Sequence, residues 1–401
     1  MNVSNNSKAT VLLCSHLSLN SIDVAPLTVR EWNDLAEKLL NSPLKEPAGL
    51  ISLSALDIQT ELNISVEMAD RIYKLLSRGG NLAFSLDELE RKSIFIVTRG
   101  DKEYPARLKK ILGKNSPALL YYCGDLSLAN QKSIAIVGSR DIDSDGEKFA
   151  RQLSRKAIQE GYTICSGGAK GVDQISEETA LSEGGCCVSF LSDSMTNKIR
   201  LKLYRDNIAL GKMLLISAVN PDAPFNIANA MNRNKYIYSL SQSAFVIASD
   251  YNKGGTWSGA VENIKHNWVN TYVWDNAKYK GNAQLIKMGA FPLQKLEKVS
   301  IFDLVSQKQN EENEQIALFS ISTTNYELKR DSTETAFVSI YEAALPIILN
   351  FLSEPKTLDE LTDGLNLVKK QATEWLNRAI VEKAVIKTKS PVKYVKARLP
   401  E

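Results

Sequence analysis

The chain is poor in the residues that build metal and redox centres. Its 401 residues hold two histidines, His16 and His266, and five cysteines, Cys14, Cys123, Cys165, Cys186 and Cys187. No Cys-x-x-Cys pair occurs and the histidines lie far apart, so the ligand spacing of a zinc site is missing. An odd cysteine count without framework spacing also argues against a disulfide scaffold. Buried free thiols in a reducing cytoplasm are the expectation. Val137 is not followed by Gly-x-Gly-x-x-Gly, and Gly167-Gly-Ala-Lys-Gly171 lacks the Gly-Lys-Ser/Thr of a phosphate-binding Walker loop. Nicotinamide binding and ATP hydrolysis therefore have no support, and no cofactor or catalytic residue is assigned. No apolar run approaches the roughly 20 residues of a membrane helix. Val11–Leu17 is too short for a signal-peptide core and has no basic lead. A cytoplasmic protein without a membrane partner is expected. Nor is there a large excess of one charge: the net charge is +3. Any nucleic-acid binding must then rest on local patches.

What is present is ordinary globular material, 44% hydrophobic and 24% charged, enough for roughly two to three domains. Residues 1–90 read as a helical N-terminal module. Thr28-Val-Arg-Glu31 is a capping box before an amphipathic run. Ser65 opens a helix that ends at Gly79-Gly80, and Ser85-Leu-Asp-Glu88 opens a third. Residues 91–305 alternate apolar β-rich runs with helical stretches. Strands are expected at 94–98, 118–123, 133–137, 162–165, 186–191, 213–216, 244–248 and 271–274. This is an α/β fold with a doubly wound, Rossmann-like sheet. Residues 306–335 are polar and read as a flexible linker. Residues 336–401 read as three helices and a hairpin, a winged helix-turn-helix. Trp375, Leu376 and Ile380 share one face of its long helix. Lys369, Lys370, Lys387, Lys389, Lys393 and Lys396 flank that helix and the wing, suited to duplex DNA or to a protein partner.

Two glycine-bearing strand-to-helix turns stand out. Ile134-Ala-Ile-Val-Gly-Ser-Arg140 ends a strand in Gly138, Ser139 and Arg140. Tyr162–Cys165 runs into Ser166, Gly167, Gly168, Lys170 and Gly171. Backbone N–H groups and helix N-termini at such turns suit phosphate, and Arg140 and Lys170 add positive charge. Arg233 and Lys235, beside Asn234, read as the start of a helix, where cations oppose the dipole unless an anion is bound. Gly254, Gly255 and Thr256 open a further helix. Trp257 after them suits either base stacking or the core.

Val137-Gly-Ser-Arg140, Ser166-Gly-Gly-Ala-Lys-Gly-Val-Asp173, Asn232–Ser241 and Gly254–Ala260 resemble, in order and spacing, the motifs of the DNA-processing protein A (DprA/Smf) family. Tyr104-Pro105 and Pro117–Gly124 fit its lead-in to the sheet. The resemblance implies a positively charged groove for single-stranded DNA, with Arg140, Lys170, Arg233 and Lys235 on phosphates and Asn234 supporting the loop. It implies no covalent chemistry, and transfer of the strand to a RecA-type recombinase in recombination or natural transformation. The family's Gly and Tyr-Pro after the strand ending at Leu191 are replaced by Ser192-Asp193-Ser194, and its Ser-Glu-x by Ser217-Ala-Val219. That divergence leaves room for a role in phage defence or beside a toxin partner. A homodimer is also open. Gln315, Leu318 and Phe319 are similar to sliding-clamp peptides, against the alternative that this segment folds back onto the sheet. Gly254–Glu262 weakly resembles the turn of nucleoside-monophosphate phosphoribohydrolases, in which Glu262 would be the acid–base group.

Overall fold

The computed structural model describes residues 3–18, 24–297, 299–306, 340–365, 367, 369–388 and 392–397. The chain divides into two compact units, Met1–Ser320 and Ile321–Glu401. The first begins with five helices, α1 (Asn5–Cys14), α2 (Val29–Asn41), α3 (Ala55–Leu62), α4 (Val66–Leu76) and α5 (Gly79–Arg91). The capping box at Thr28 and Glu31 forms as expected, and a second forms at Ser54 and Asp57. Gly79 and Gly80 do not end a helix. They form the first turn of α5, which runs through Ser85, because Leu82, Leu86 and Leu89 bury one continuous stripe.

The alternating part follows as β1 (Phe95–Thr98), α6 (Ala106–Leu112), β2 (Leu119–Gly124), β3 (Ser133–Val137), α7 (Ser144–Gln159), β4 (Thr163–Ser166), α8 (Val172–Ser182) and β5 (Cys187–Leu191). Then come α9 (Met195–Arg200), α10 (Lys202–Ala209), β6 (Met213–Ser217), α11 (Ile227–Leu240), β7 (Ser243–Val246), α12 (Gly254–His266), β8 (Asn270–Trp274), α13 (Lys280–Lys287) and β9 (Phe291–Leu293). The expected strands are all present within a residue or two at most of their ends. The three-residue β9, with Phe291 and Pro292 exposed, carries too little pattern to be read from sequence.

The strands form one nine-stranded sheet in the order β1-β2-β6-β5-β4-β3-β7-β8-β9. The stretch from β6 to β9 is parallel, while β2 pairs antiparallel with β6 and with β1. Side chains alternate across it. Ile134 and Ile136 join the core that also contains α7 and α8, whereas Ala135 and Val137 join the core beneath α11 and α12. Leu12, Leu13, Leu75 and Leu86 of the leading helices belong to the first of these cores, together with Ile134 and Leu215 of the sheet. The packing is continuous across residue 90.

The chain steps outward from β3 through β4 and β5 to β6, then returns to lay β7 on the other side of β3. Strand order therefore reverses between β3 and β7. The loops leaving these two strands diverge to opposite faces and leave a crevice at their C-terminal ends.

The second unit contains helices Ile340–Phe351, Leu358–Leu365 and Lys369–Val381. Strand Val385–Lys387 then pairs antiparallel with Tyr394–Lys396. Leu376 is buried with Leu352, Leu361 and Val385, and Trp375 and Ile380 are half-buried. Lys369 is engaged by Asp359 at 2.6 Å, and Lys387 lies over the Tyr394 ring. Apart from Ser306, which ends a helical turn, the expected linker 306–335 lies outside the described residues, as do Gln315, Leu318, Phe319 and Lys389.

Gly171, just before α8, has φ 81° and ψ −131°, a region essentially closed to residues with a Cβ. A Cβ there would also strike the carbonyl oxygens of Ser139 and Arg140. Gly161 has φ 77° but open space around it. We expect Gly171→Ala to lower stability in urea by about 1–3 kcal/mol, clearly more than Gly161→Ala. Equal losses would show that the close approach contributes nothing.

Candidate functional site

The crevice between β3 and β7 is a groove of about 480 Å³. One wall is the turn after β3, with Gly138, Ser139, Arg140 and Asp141. The opposite wall is the turn after β7, with Ser249, Asp250 and Lys253, and the first turn of α12, with Gly254, Gly255 and Thr256. The two turns are tied at their base. Ser139 N–H donates to Ala248 O at 2.9 Å, and Ile247 N–H donates to Val137 O at 3.0 Å. The first half of α11 and the residues before it supply a third side, with Phe225, Ile227, Met231 and Asn234.

The N-cap of α12 is Lys253, whose side chain makes no capping bond. The first N–H groups of α12 are thus left for a ligand or water. Asn234 Nδ2 donates to Gly255 O at 2.9 Å and fixes that turn against α11. Gly259 lets the two helices approach, since a Cβ there would meet Asn234. Asn234 therefore ties α11 to the first turn of α12. By contrast α7 is capped by its own Asp143, whose carboxylate accepts from Gly146 N–H at 2.9 Å. Its amino end is already satisfied. The exposed Arg140 guanidinium lies over the Phe225 ring, 5.1 Å from its centre.

The second glycine turn differs from its expected role. Ser166, Gly167 and Gly168 are buried and do not line the groove. Ser166 Oγ donates to Ile136 O at 2.7 Å. The N–H groups of Gly167 and Ala169 point at Asp173, and that of Gly168 donates to Glu177 Oε1 at 2.9 Å. This turn leaves β4, on the side of β3 away from the strand reversal. α8 folds directly back over it, and α8's own carboxylates take its donors.

Arg233 is corrected with it. It sits midway along α11 rather than at the helix start, and only 8% of it is exposed. Its Nη1 donates to Phe190 O at 2.7 Å, and its guanidinium occupies the space where Gly167 would carry a Cβ. Burial pushes the guanidinium pKa down, opposed by Asp173 and then Glu177. Burial pushes Asp173 up, opposed by Arg233. Arg233 fills the space beside Gly167 while Asp173 takes the backbone N–H groups of Gly167 and Ala169, so the glycine turn is held from below. Arg233 reaches only the floor of the groove.

Lys170 is exposed on the loop but does not line the groove. Lys235 turns away, over the Tyr236 ring at 5.2 Å and toward Glu262. Glu262, the acid–base group of the hydrolase alternative, does not line the groove either. Trp257 is 8% exposed and packs edge-on against Tyr251, so its core role prevails over base stacking. The exposed aromatic group lining the groove is Phe225 instead; Tyr251 is exposed but does not line it. Phe225, Ile227, Met231 and Lys253 were missed from sequence. An exposed phenylalanine, isoleucine and methionine at the start of a helix would have been the available signal. Among the described residues no cluster of His, Cys, Asp and Glu could hold a metal ion, and no helix is long and apolar enough to cross a membrane.

Glu177 is fully buried and also accepts from Tyr204 Oη at 2.8 Å. Burial raises its pKa from the ordinary 4.5 to about 7. Between those values the folded protein keeps a proton that the unfolded chain has lost. Stability should therefore fall as pH rises from about 4.5 to about 7, then level off. The change is on the order of 3 kcal/mol. Glu177→Gln should flatten this part of the urea-midpoint profile. Parallel profiles for the two proteins would contradict the assignment.

Comparison with known proteins finds relatives in the family the motifs resemble. The sequence is 26% identical over 211 residues to Protein Smf of Escherichia coli, covering 51% of this chain and 56% of that one. It is 23% identical over 243 residues to the DNA processing protein DprA of Bacillus subtilis, covering 59% and 75%. The chain thus spans little more than half the length of the first of these relatives. The X-ray structure of DprA from Streptococcus pneumoniae aligns with a TM-score of 0.46 at 19% identity, over 67% of this chain and 95% of that one. The sequence profile of the family described as DNA recombination-mediator protein A matches residues 95–302, more than half of the 401 residues. With β1 through β9 inside that span, the chain belongs to the DNA recombination-mediator protein A family.

Proposed function

We propose that the protein binds single-stranded DNA in the groove between β3 and β7 and passes it to a RecA-type recombinase. Its role would be DNA processing and recombination in the cytoplasm, without covalent chemistry. One observation carries this reading: the uncapped amino end of α12 faces Arg140 across a crevice at the strand reversal. Backbone donors and a guanidinium there suit phosphate, and the exposed Phe225 suits stacking that is indifferent to base identity. Family membership supports the same reading. The phosphate contacts proposed are Arg140 and Lys253, with Lys170 outside the groove as a further contact. Arg233 acts beneath them by holding the glycine turn.

Arg140→Ala and Lys253→Ala should each weaken oligo-dT binding about tenfold, or about 1.4 kcal/mol, in fluorescence anisotropy at fixed salt. Lys235→Ala should leave it nearly unchanged. Full affinity in a folded Arg140→Ala, Lys253→Ala double variant would remove the groove as the binding site.

We further propose that residues 91–305 with their leading helices form the DNA-binding part. The C-terminal unit, with the helix and hairpin order of a winged helix, would be a separate contact module. A fragment ending at Val305 is expected to fold and keep oligo-dT binding. An insoluble fragment, or a soluble one that no longer binds, would disprove the division.

A further inference from the structure

α11 presents a second stripe that belongs to another cavity. Asn229, Asn232, Arg233 and Tyr236, at helical spacing on one face, line a separate cleft of about 160 Å³. Its other walls come from Phe190–Ser192 at the end of β5, Ala218 and Val219 after β6, and Pro117–Leu119 at the start of β2. Cys14, Leu27 and Val29 of the leading helices complete it. The cleft therefore lies where those helices meet the ends of β5 and β6, not between β3 and β7.

Its walls are apolar for the most part, with Leu27, Pro117, Leu119, Phe190, Leu191 and Val219. Among the described residues Arg233 is the one charged group that lines it. The guanidinium stands against the cleft, because Nη1 donates to the carbonyl of Phe190, itself a wall residue, at 2.7 Å. Arg233 is 8% exposed, and its Nε has no hydrogen-bond partner. A buried donor is normally satisfied, so this orphan points to an absent acceptor. Asp173 lines the groove and not the cleft, so no carboxylate of the described chain competes for that acceptor's place. Size narrows the guest further, since an apolar cavity of about 150 Å³ holds one benzene ring. A phosphate would bring more than one negative charge among apolar walls, where one guanidinium cannot match it. A monocarboxylate brings a single charge, two acceptor oxygens for guanidinium and amide donors, and an apolar body for the walls to bury.

We infer that this cleft is a binding site for a small monocarboxylate of about the bulk of benzoate. The carboxylate takes the free Arg233 Nε–H and the side-chain amide of Asn229, and the body packs against Phe190 and Val219. The site is separate from the proposed DNA groove and does not depend on that reading.

The test uses the full chain with benzoate as the probe, titrated by calorimetry. One site per chain is expected at millimolar concentration or below. Benzamide, the neutral isostere, should bind at least about tenfold more weakly, and inorganic phosphate should not displace benzoate. Val29 is 37% exposed at the start of α2 and lines the cleft. Val29→Phe should plug the cleft and weaken benzoate at least about tenfold, with circular dichroism showing the fold kept. Cys14 supplies a readout on the unaltered protein, because it lines the cleft while the half-buried Cys186 does not. Saturating benzoate should slow iodoacetamide labelling of Cys14, followed by peptide mass spectrometry, and leave that of Cys186 unchanged. The inference is overturned by any of four results: no saturable binding, benzamide as tight as benzoate, displacement by phosphate, or full affinity in folded Val29→Phe. Cys14 labelling that benzoate does not slow overturns it as well, whether or not the variant folds. Oligo-dT binding reports on the groove alone, so failure there leaves the cleft standing.

Discussion

Parallel strands can be joined only by crossovers, and each crossover commits its helix to one face of the sheet. The step from β3 to β4 and onward sends α7 and α8 to one face. The return to β7 brings α11 and α12 to the other. No helix can then cover the C-terminal ends of β3 and β7 from both sides. The crevice between them follows from strand order, before any side chain is specified. What the side chains decide is how it is furnished: glycine where backbones must meet, an uncapped helix end on one wall, and exposed apolar groups on the third side.

Beside that crevice the protein buries a cluster of titratable side chains. Asp173 and Glu177 stand one turn apart on α8, and Arg233 reaches them from α11 across the ends of the strands. A helix on each face of the sheet is thereby linked through its edge. Buried charges are expensive unless paired and hydrogen-bonded, and here the surplus acceptors are used by the backbone of the glycine turn. The turn is held rigid from beneath. That rigidity reaches the groove, because Gly171 touches Ser139 and Arg140, the residues of its other wall.

Much of this was legible in the sequence. The alternation of β-rich runs and helices predicted the sheet, and the strong apolar runs such as Ser133–Val137 gave accurate ends. The glycine motifs also marked the right edge. Their chemistry was harder to read. A Gly-Gly pair that admits a phosphate and one that admits an arginine look identical as letters. Gly167 is small because Arg233 fills its place, and a linear motif does not say which face a glycine opens toward. The same ambiguity misplaced Arg233 on the surface. Its helix begins at Ile227, behind an Asn226 cap whose side chain accepts from Ala228 and Asn229 N–H. Four apolar residues there, with only asparagines among them, gave no charge pattern to mark the start. Phe225 and Met231 escaped for a related reason: apolar residues near a helix start are ordinarily assigned to the core.

The shared core of the leading helices and the sheet bears on how the chain is made. Leu12, Leu13, Leu75 and Leu86 are buried in one cluster with Ile134 and Leu215. During synthesis the first 90 residues emerge well before β3 and β6 exist. For that interval their apolar stripes face water or a chaperone, and only the arrival of the sheet closes them. The five helices can form early, through their caps and local contacts, yet their final packing waits for β3, which begins at Ser133, and for β6, which begins at Met213, well after α5 ends at Arg91. Ribosome-bound intermediates of this protein should therefore be sticky until translation has passed β6.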